Sequence, residues 1–445
     1  MVDVKMSTNE IKILLNRLFP IHRCLAGSAN RETLKIIGEY IPLSILEIPS
    51  GSKVYDWEVP NEWVINDAWI KNSKGIKIVD INRSNLHVVG HSIPVHQHLS
   101  FTDISKHLHY LPDMPDAIPW RTSYYQPQWG FCLSYNDFSK LFNHNETFEV
   151  MIDSEHKSGS MSIGEVLIPG KTTQEILLST YICHPSMAND NVSGMVLLTF
   201  LAKFLLDKIC YHSYRILFLP ETIGAIAYCA MHEETIKKIN TGLIISTVGG
   251  PGPFGYKQSW QSNHSINRII EDVLHQNHEE FLTYPFDIHG SDERQFSSQA
   301  FRVNVSSITK DKYYEYKAYH TSQDNLDFVK PEYIAESFDI YKKVINMLDM
   351  DLTFRNTNPW CEVMLGKRGL YPNIGGAQVH RAVNSNTAYN SRDAMLWLLH
   401  FCDGSRSLFH ISLDTGFPIR LLFDAAIELE NQGVLQLCAT SDNVS

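Results

Sequence analysis

S-T-Y-I-C-H-P-S-M-A-N-D-N-V-S-G, residues 179–194, decides the fold. The near-continuous apolar run E-I-L-L-S-T-Y-I-C at 175–183 reads as a strand buried on both faces. It ends in His184, a short polar loop carries Asp190, and residues 192–208 read as a helix. A buried strand feeding a helix is the unit of a parallel α/β sheet. Ligand sites in such sheets lie at the carboxyl ends of the strands. His184 and Asp190 offer one imidazole and one oxygen there, a pair that suits zinc. The fragment alone reads equally well as a helix N-cap beside a loop histidine.

The same texture continues outward. Y-R-I-L-F-L-P (214–220) and G-L-I-I-S-T-V (242–248) are further buried strands, and helical spacing fits 223–238, 266–275 and 332–350. This predicts an α/β fold with a mainly parallel sheet covered by helices on both faces. Three more polar clusters accompany it. In L-F-L-P-E-T-I-G (217–224), Glu221 sits just past a strand, as a metal ligand, as a general base, or as a helix cap. In G-S-D-E-R-Q-F (290–296), Asp292, Glu293 and Arg294 could bind substrate or form a solvated loop. In Y-H-T-S-Q-D-N-L-D-F (319–328), after the extended V-N-V-S-S-I-T, His320 is the candidate third ligand. Each cluster is weak alone; their common place at strand ends is the stronger sign.

The flanks differ. Residues 10–18 and 31–40 have helical spacing. From 49 to about 142 the chain is rich in Trp, His, Pro and Tyr with short extended pieces, which predicts a small mostly-β unit inserted near the front. From about Asn384 helices fit 392–401, 407–413 and 418–432, and a short strand starts at Gly433, the pattern of a winged helix. The expected domains are 1–48 with 146–352, the insert 49–145, and the winged helix 353–445.

Composition bounds the function. The 445 residues are 44% hydrophobic and 20% charged, ordinary globular values that exclude disordered and fibrous classes. No apolar run reaches the ~18–20 residues that span a bilayer, and the start lacks the pattern of a signal peptide. The expectation is a cytoplasmic protein without membrane contact. With 38 basic against 49 acidic residues the formal charge is −11, which opposes general nucleic-acid binding. The stretch 384–445 holds Arg392, Arg406 and Arg420, no Lys, and more acidic than basic residues, so the tail is expected to bind a protein partner or a second copy rather than nucleic acid. The eight cysteines form no C-x-x-C pair and read as reduced core thiols.

The order H…D-N-x-S-G, E-x-x-G, S-D-x-x-x-F and Y-H-T-x-x-D resembles zinc-dependent aminopeptidases and the related glutaminyl cyclases. The chain is similar, over nearly its whole length, to bacterial aminopeptidase-like proteins often found near exopolysaccharide biosynthesis genes. The resemblance includes L-F-P-I-H-R (18–23), P-S-G-S-K-V-Y-D-W-E-V-P (49–60), S-Y-Y-Q-P-Q-W-G-F-C (123–132) and L-G-K-R-G-L-Y (365–371). It implies a peptidase-like domain, an inserted β domain and a C-terminal winged helix. It also implies metal ligation by His184, Asp190 and His320, a catalytic carboxylate at Glu221, and a loop-to-helix turn at Asn191, Ser193 and Gly194. Thr222 stands where the two-metal enzymes carry a second ligating Glu, and Ser246-Thr247 and Gly249-Gly250 stand where another carboxylate is usual. A hydroxyl is a poor zinc ligand. The expectation is therefore one zinc per chain in a hydrolase of small peptides or other amides, most simply an aminopeptidase. A peptidase-like binding or regulatory protein is the rival.

Overall fold

Three fully or nearly fully buried strands, Glu175–Tyr181, Ser213–Leu219 and Asn304–Lys310, form the spine of the computed structural model, which describes residues 7–143, 145–278, 280–370 and 390–438. Tyr371 and the change of texture near Asn384 lie outside these. The eight-stranded sheet has the order Ser44–Pro49, Ser160–Ile168, Ser213–Leu219, Glu175–Tyr181, Thr241–Ile244, Asn304–Lys310, Phe254–Lys257, Leu282–Tyr284. Its four central strands are mutually parallel. Ser160–Ile168 and Phe254–Lys257 run antiparallel to the strands that border this core. The sheet is thus mainly parallel at its centre, and its antiparallel flanks were not foreseen.

Helix burial follows periodicity. Thr8–Leu18 buries Ile11, Leu14, Leu15 and Leu18, and Ser265–Asn277 buries Ile266, Ile269, Ile270, Val273 and Leu274, each a single stripe. Gly194–Leu206 is apolar nearly all round and correspondingly buried. The helix expected at 223–238 is two, Ile223–Met231 and Glu233–Ile236. The break falls at His232, whose ring stacks on Tyr228 at 4.4 Å while the acidic pair Glu233–Glu234 opens the second helix.

A second, four-stranded antiparallel sheet has the order Lys77–Asp80, Glu62–Lys71, Thr147–Lys157, Val95–Ser100. Phe148, Val150 and Ile152 alternate inward along Thr147–Lys157 and join Phe131, Leu133 and Ile70 in one core. That strand, read from sequence with the α/β part, pairs here.

The described residues divide into two compact units. The first runs to Pro169 and takes in Glu175–Ile209 and Ser213–Lys342; it holds both sheets. The second comprises Gly170–Gln174, Cys210–His212 and the chain from Lys343. It contains a three-stranded sheet, Asp403–Ser407, Thr353–Asn356, Leu435–Leu437, and the helices Ser391–Phe401, Leu408–Thr415 and Ile419–Asn431. Leu398, Leu408, Ile411, Leu422, Ala426 and Leu429 supply its core. No helix among the described residues is long and apolar enough to cross a membrane.

Candidate metal centre

His184 follows the carboxyl end of Glu175–Tyr181 and is 3% exposed. Buried Arg23, from the motif L-F-P-I-H-R, donates from Nε to the His184 carbonyl at 2.9 Å, which fixes the histidine's backbone. The loop that follows carries Asp190, 1% exposed. Tyr181 donates its hydroxyl to Asp190 Oδ1. Asp190 Oδ2 lies 3.0 Å from His320 Nε2 and 4.0 Å from His184 Nε2. The ligand atoms of His184, Asp190 and His320 all fall within 4.8 Å of one another.

The donor set fits a metal ion. Asp190 Oδ2 and His320 Nε2 are buried atoms without a hydrogen-bond partner, although they face each other. Two adjacent atoms of this kind are costly in a dry site unless something between them satisfies both. Ligands at about 2.0–2.1 Å from a tetrahedral zinc sit ~3.3 Å apart; the Asp190–His320 spacing of 3.0 Å is close to this and the Asp190–His184 spacing of 4.0 Å is wider. A second group, Cys183, His184 and Glu221, also lies within 4.8 Å. Burial pushes the Cys183 thiol up.

Glu221 follows strand Ser213–Leu219 with its carboxylate Oε2 3.9 Å from His184 Nε2. Desolvation and the nearby charges of Asp292 and Asp190 hold its carboxyl well above the usual range. Asp292 is 1% exposed; its Oδ1 accepts the Thr222 backbone N–H at 2.7 Å, and its Oδ2 is unpartnered. Burial pushes Asp292 up to about 7. The structure thus brings Asp292 against the Glu221-Thr222 turn. Glu293, also 1% exposed, accepts instead from Ser307 Oγ and Tyr313 Oη, and exposed Arg294 reaches only the Ile288 carbonyl. The alternative of a solvated loop at 290–296 does not hold, because Ser291, Asp292, Glu293 and Phe296 are buried.

A family model described as a domain of unknown function, DUF4910, matches residues 12–351. This chain belongs to the DUF4910 family. A winged helix-turn-helix model matches 352–437. A Clostridium acetobutylicum protein, named for polysaccharide biosynthesis and an aminopeptidase-like domain, is 42% identical over 428 residues, 96% of each chain. A peptidase-like crystal structure from Clostridium acetobutylicum superposes with TM-score 0.83 at 40% identity, covering 97% of this chain and 96% of that one. The zinc aminopeptidase of Bacillus subtilis gives 0.57 at 11% identity, covering 77% of this chain and 95% of the other. The DUF4910 chain therefore has an aminopeptidase-like fold.

Several supports of the DUF4910 site lay outside the expected residues. Asp324, in the same motif as His320, is fully buried and accepts the backbone N–H groups of Asn189 at 2.6 Å and Asp190 at 3.0 Å, with Tyr316 Oη at 2.8 Å. One carboxylate thus pins the Asp190 loop. Its position three residues past the His-Thr pair was the available signal. The Trp120 ring lies 4.4 Å from the His184 ring and 4.5 Å from that of His320, and the Trp120 backbone N–H donates to the His320 carbonyl at 2.7 Å. It comes from the aromatic-rich front segment, where no pattern marks one Trp among several. Thr222, Thr247 and His320 all have positive φ, a conformation that residues other than glycine rarely adopt. The turn behaves as the resemblance implies: Asn191 Nδ2 donates to Thr180 Oγ1, Ser193 Oγ to the Asn189 carbonyl, and a Cβ at Gly194 would lie 2.2 Å from Asn191 Oδ1. At Gly250 a Cβ would lie 2.2 Å from Asp311 Oδ2, so a side chain there would have to displace the Asp311 carboxylate.

Proposed function

We propose that the chain is a zinc-dependent hydrolase of amide bonds, most simply an aminopeptidase. The observation that carries this reading is the convergence of His184, Asp190, His320 and Glu221 at the carboxyl ends of parallel strands, with two ligand atoms left unpartnered. His184, Asp190 and His320 hold one zinc per chain. When bound, zinc acts as a Lewis acid that polarises the scissile carbonyl and acidifies water.

The chain's residues do the rest. Tyr181, by occupying Asp190 Oδ1, leaves Oδ2 for the metal. Trp120 walls both imidazoles and excludes water from that side. Glu221 takes the proton of the attacking water and delivers it to the leaving amine. Burial and the neighbouring carboxylates Asp292 and Asp190 raise its affinity for the proton it accepts. Asp292 holds the turn that carries Glu221. Arg294, being exposed, remains available to a polar substrate end. The name of the Clostridium relative supports placing the reaction beside polysaccharide biosynthesis.

The test is zinc-dependent hydrolysis of a panel of aminoacyl p-nitroanilides and N-acyl amines. Turnover that disappears with a chelator, returns with zinc and is absent in Glu221→Gln supports the reading. A zinc-loaded wild-type chain that cleaves none of them contradicts it and favours the non-catalytic rival.

A further inference from the structure

A cavity of about 510 Å³ opens beside the catalytic groups and takes no part in the chemistry described above. Two exposed rings, Tyr124 and Tyr125, form its aromatic side, and Trp57 packs edge-on against Tyr125 at 5.9 Å. The polar lining is neutral: Asn61, Gln126, His91 and His156 each offer donor or acceptor atoms without a formal charge. Burial drives His91 down to about 4, so it is an uncharged imidazole at neutral pH. No Lys or Arg lines the cavity, and its single carboxylate, Glu58, is already paired with Lys53 at 2.9 Å.

This chemistry excludes and selects. Phosphates, nucleotides and acidic peptides need cationic partners that are missing. A peptide amine would find one carboxylate, Glu58, and would have to displace Lys53 from it. A ligand that stacks an apolar face on tyrosine rings and presents several neutral hydroxyl or amide groups at its edge fits the lining. That ligand is a neutral saccharide.

The cavity adjoins the metal centre. His91 and Tyr124 also line a narrow cleft together with Trp120 and Cys183, and the charges of Glu221 and Asp190 act on the Tyr124 hydroxyl. The turn that carries Tyr124 and Gln126 is fixed beforehand: Ser123 donates from N and Oγ to the Gly90 carbonyl, and Gln126 N donates to the Ser123 carbonyl. We infer that this cavity is a saccharide subsite, so that the amide presented to Glu221 is borne by a sugar: an N-acylated amino sugar or a short oligosaccharide containing one. The substrate class rests on the proposed hydrolase reading; the binding site does not.

The experiment separates the two. Saturation-transfer NMR on the full, chelator-treated chain, with N-acetylglucosamine and the dipeptide Leu-Ala as probes, reads binding without catalysis. The expected result is saturation transfer to N-acetylglucosamine, reduced at least several-fold in Tyr124→Ala and in Gln126→Ala, two exposed positions whose loss leaves the core intact. Absence of transfer to the sugar in the wild type, or transfer unchanged in both variants, overturns the subsite. Transfer to Leu-Ala in place of the sugar, lost in Tyr124→Ala, also overturns it and assigns the cavity to peptides. Sugar binding in a chain that cleaves no amide would leave the subsite standing and remove the hydrolase reading.

Discussion

At the residue scale, a carboxylate that serves two backbone donors has no simple replacement. Asp324 accepts from the N–H groups of both Asn189 and Asp190. Asp324→Asn keeps the shape but has one acceptor oxygen, so one buried N–H loses its partner at a cost of ~1–3 kcal/mol. Urea unfolding should show that loss, and zinc affinity should fall with it because Asp190 is no longer held. Glu221 and His320 separate differently. Glu221→Gln should retain zinc and lose turnover by ~10²–10⁴-fold, whereas His320→Ala should lose the metal. Zinc retained by His320→Ala in a dialysed sample would remove His320 from the ligand set. His184 and Glu221 were legible as candidates because a polar residue just after an apolar strand breaks the pattern around it; Asp190 and His320, nine and ten residues past their strands, were legible only through the order of the motifs. Arg23 and Asp324 stand in the motifs L-F-P-I-H-R and Y-H-T-x-x-D, but the supporting roles of Arg23, Trp120 and Asp324 were not legible. Their partners are backbone atoms 161, 200 and 135 residues away, and no local pattern records such a bond.

At the element scale, strands buried on both faces announced themselves and the flanking ones did not. Ser213–Leu219 is wholly buried, and its composition says so. Leu282–Tyr284 is a short, largely exposed edge strand whose three residues carry no periodic signal. The helices with a clean stripe, Thr8–Leu18 and Ser265–Asn277, were readable from spacing alone. The winged helix poses a question that its fold does not answer, since the same layout can bind DNA or protein. Helix Ile419–Asn431 carries Arg420 against Asp424, Glu428 and Glu430, and Arg420 is paired to Asp424 at 3.0 Å. Such a helix repels phosphates, whose neutralisation drives DNA affinity. A gel shift with random duplex DNA at micromolar protein and low salt should show no complex. A salt-sensitive shift would contradict the assignment of this unit to protein partners.

At the scale of the whole molecule, the eight- and four-stranded sheets share the first unit and the proposed site draws on several segments of it: the front motif through Arg23, the aromatic segment through Trp120, and the segments that follow three strands. Its integrity should therefore follow global stability. Acid tests this. His91 is 4% exposed and titrates at about 4 in the fold, against ~6.5 when unfolded. Below ~6.5 the unfolded chain binds a proton that the folded chain refuses, so stability falls as pH drops from ~6.5 toward 4, by up to ~1.4 kcal/mol per unit for this group. Buried His87 is shifted in the same direction for the same reason. The raised carboxyls of Asp292 and Glu221 act in the opposite sense over this range, so the readout is the difference between chains: between pH 6.5 and 4 the urea midpoint of His91→Gln should fall less, or rise more, than that of the wild type, and identical pH dependence would contradict the assignment to His91.

The central claim is one zinc held by two imidazoles and one carboxylate. Metal analysis of the chain after zinc loading and exhaustive dialysis, paired with anomalous scattering at the zinc edge from crystals of the same sample, tests it most directly. The account predicts one zinc per chain, bonded to His184, Asp190 and His320, with Glu221 near but not bonded to it. Two zincs per chain, none, or a zinc bonded directly to Glu221 would contradict it.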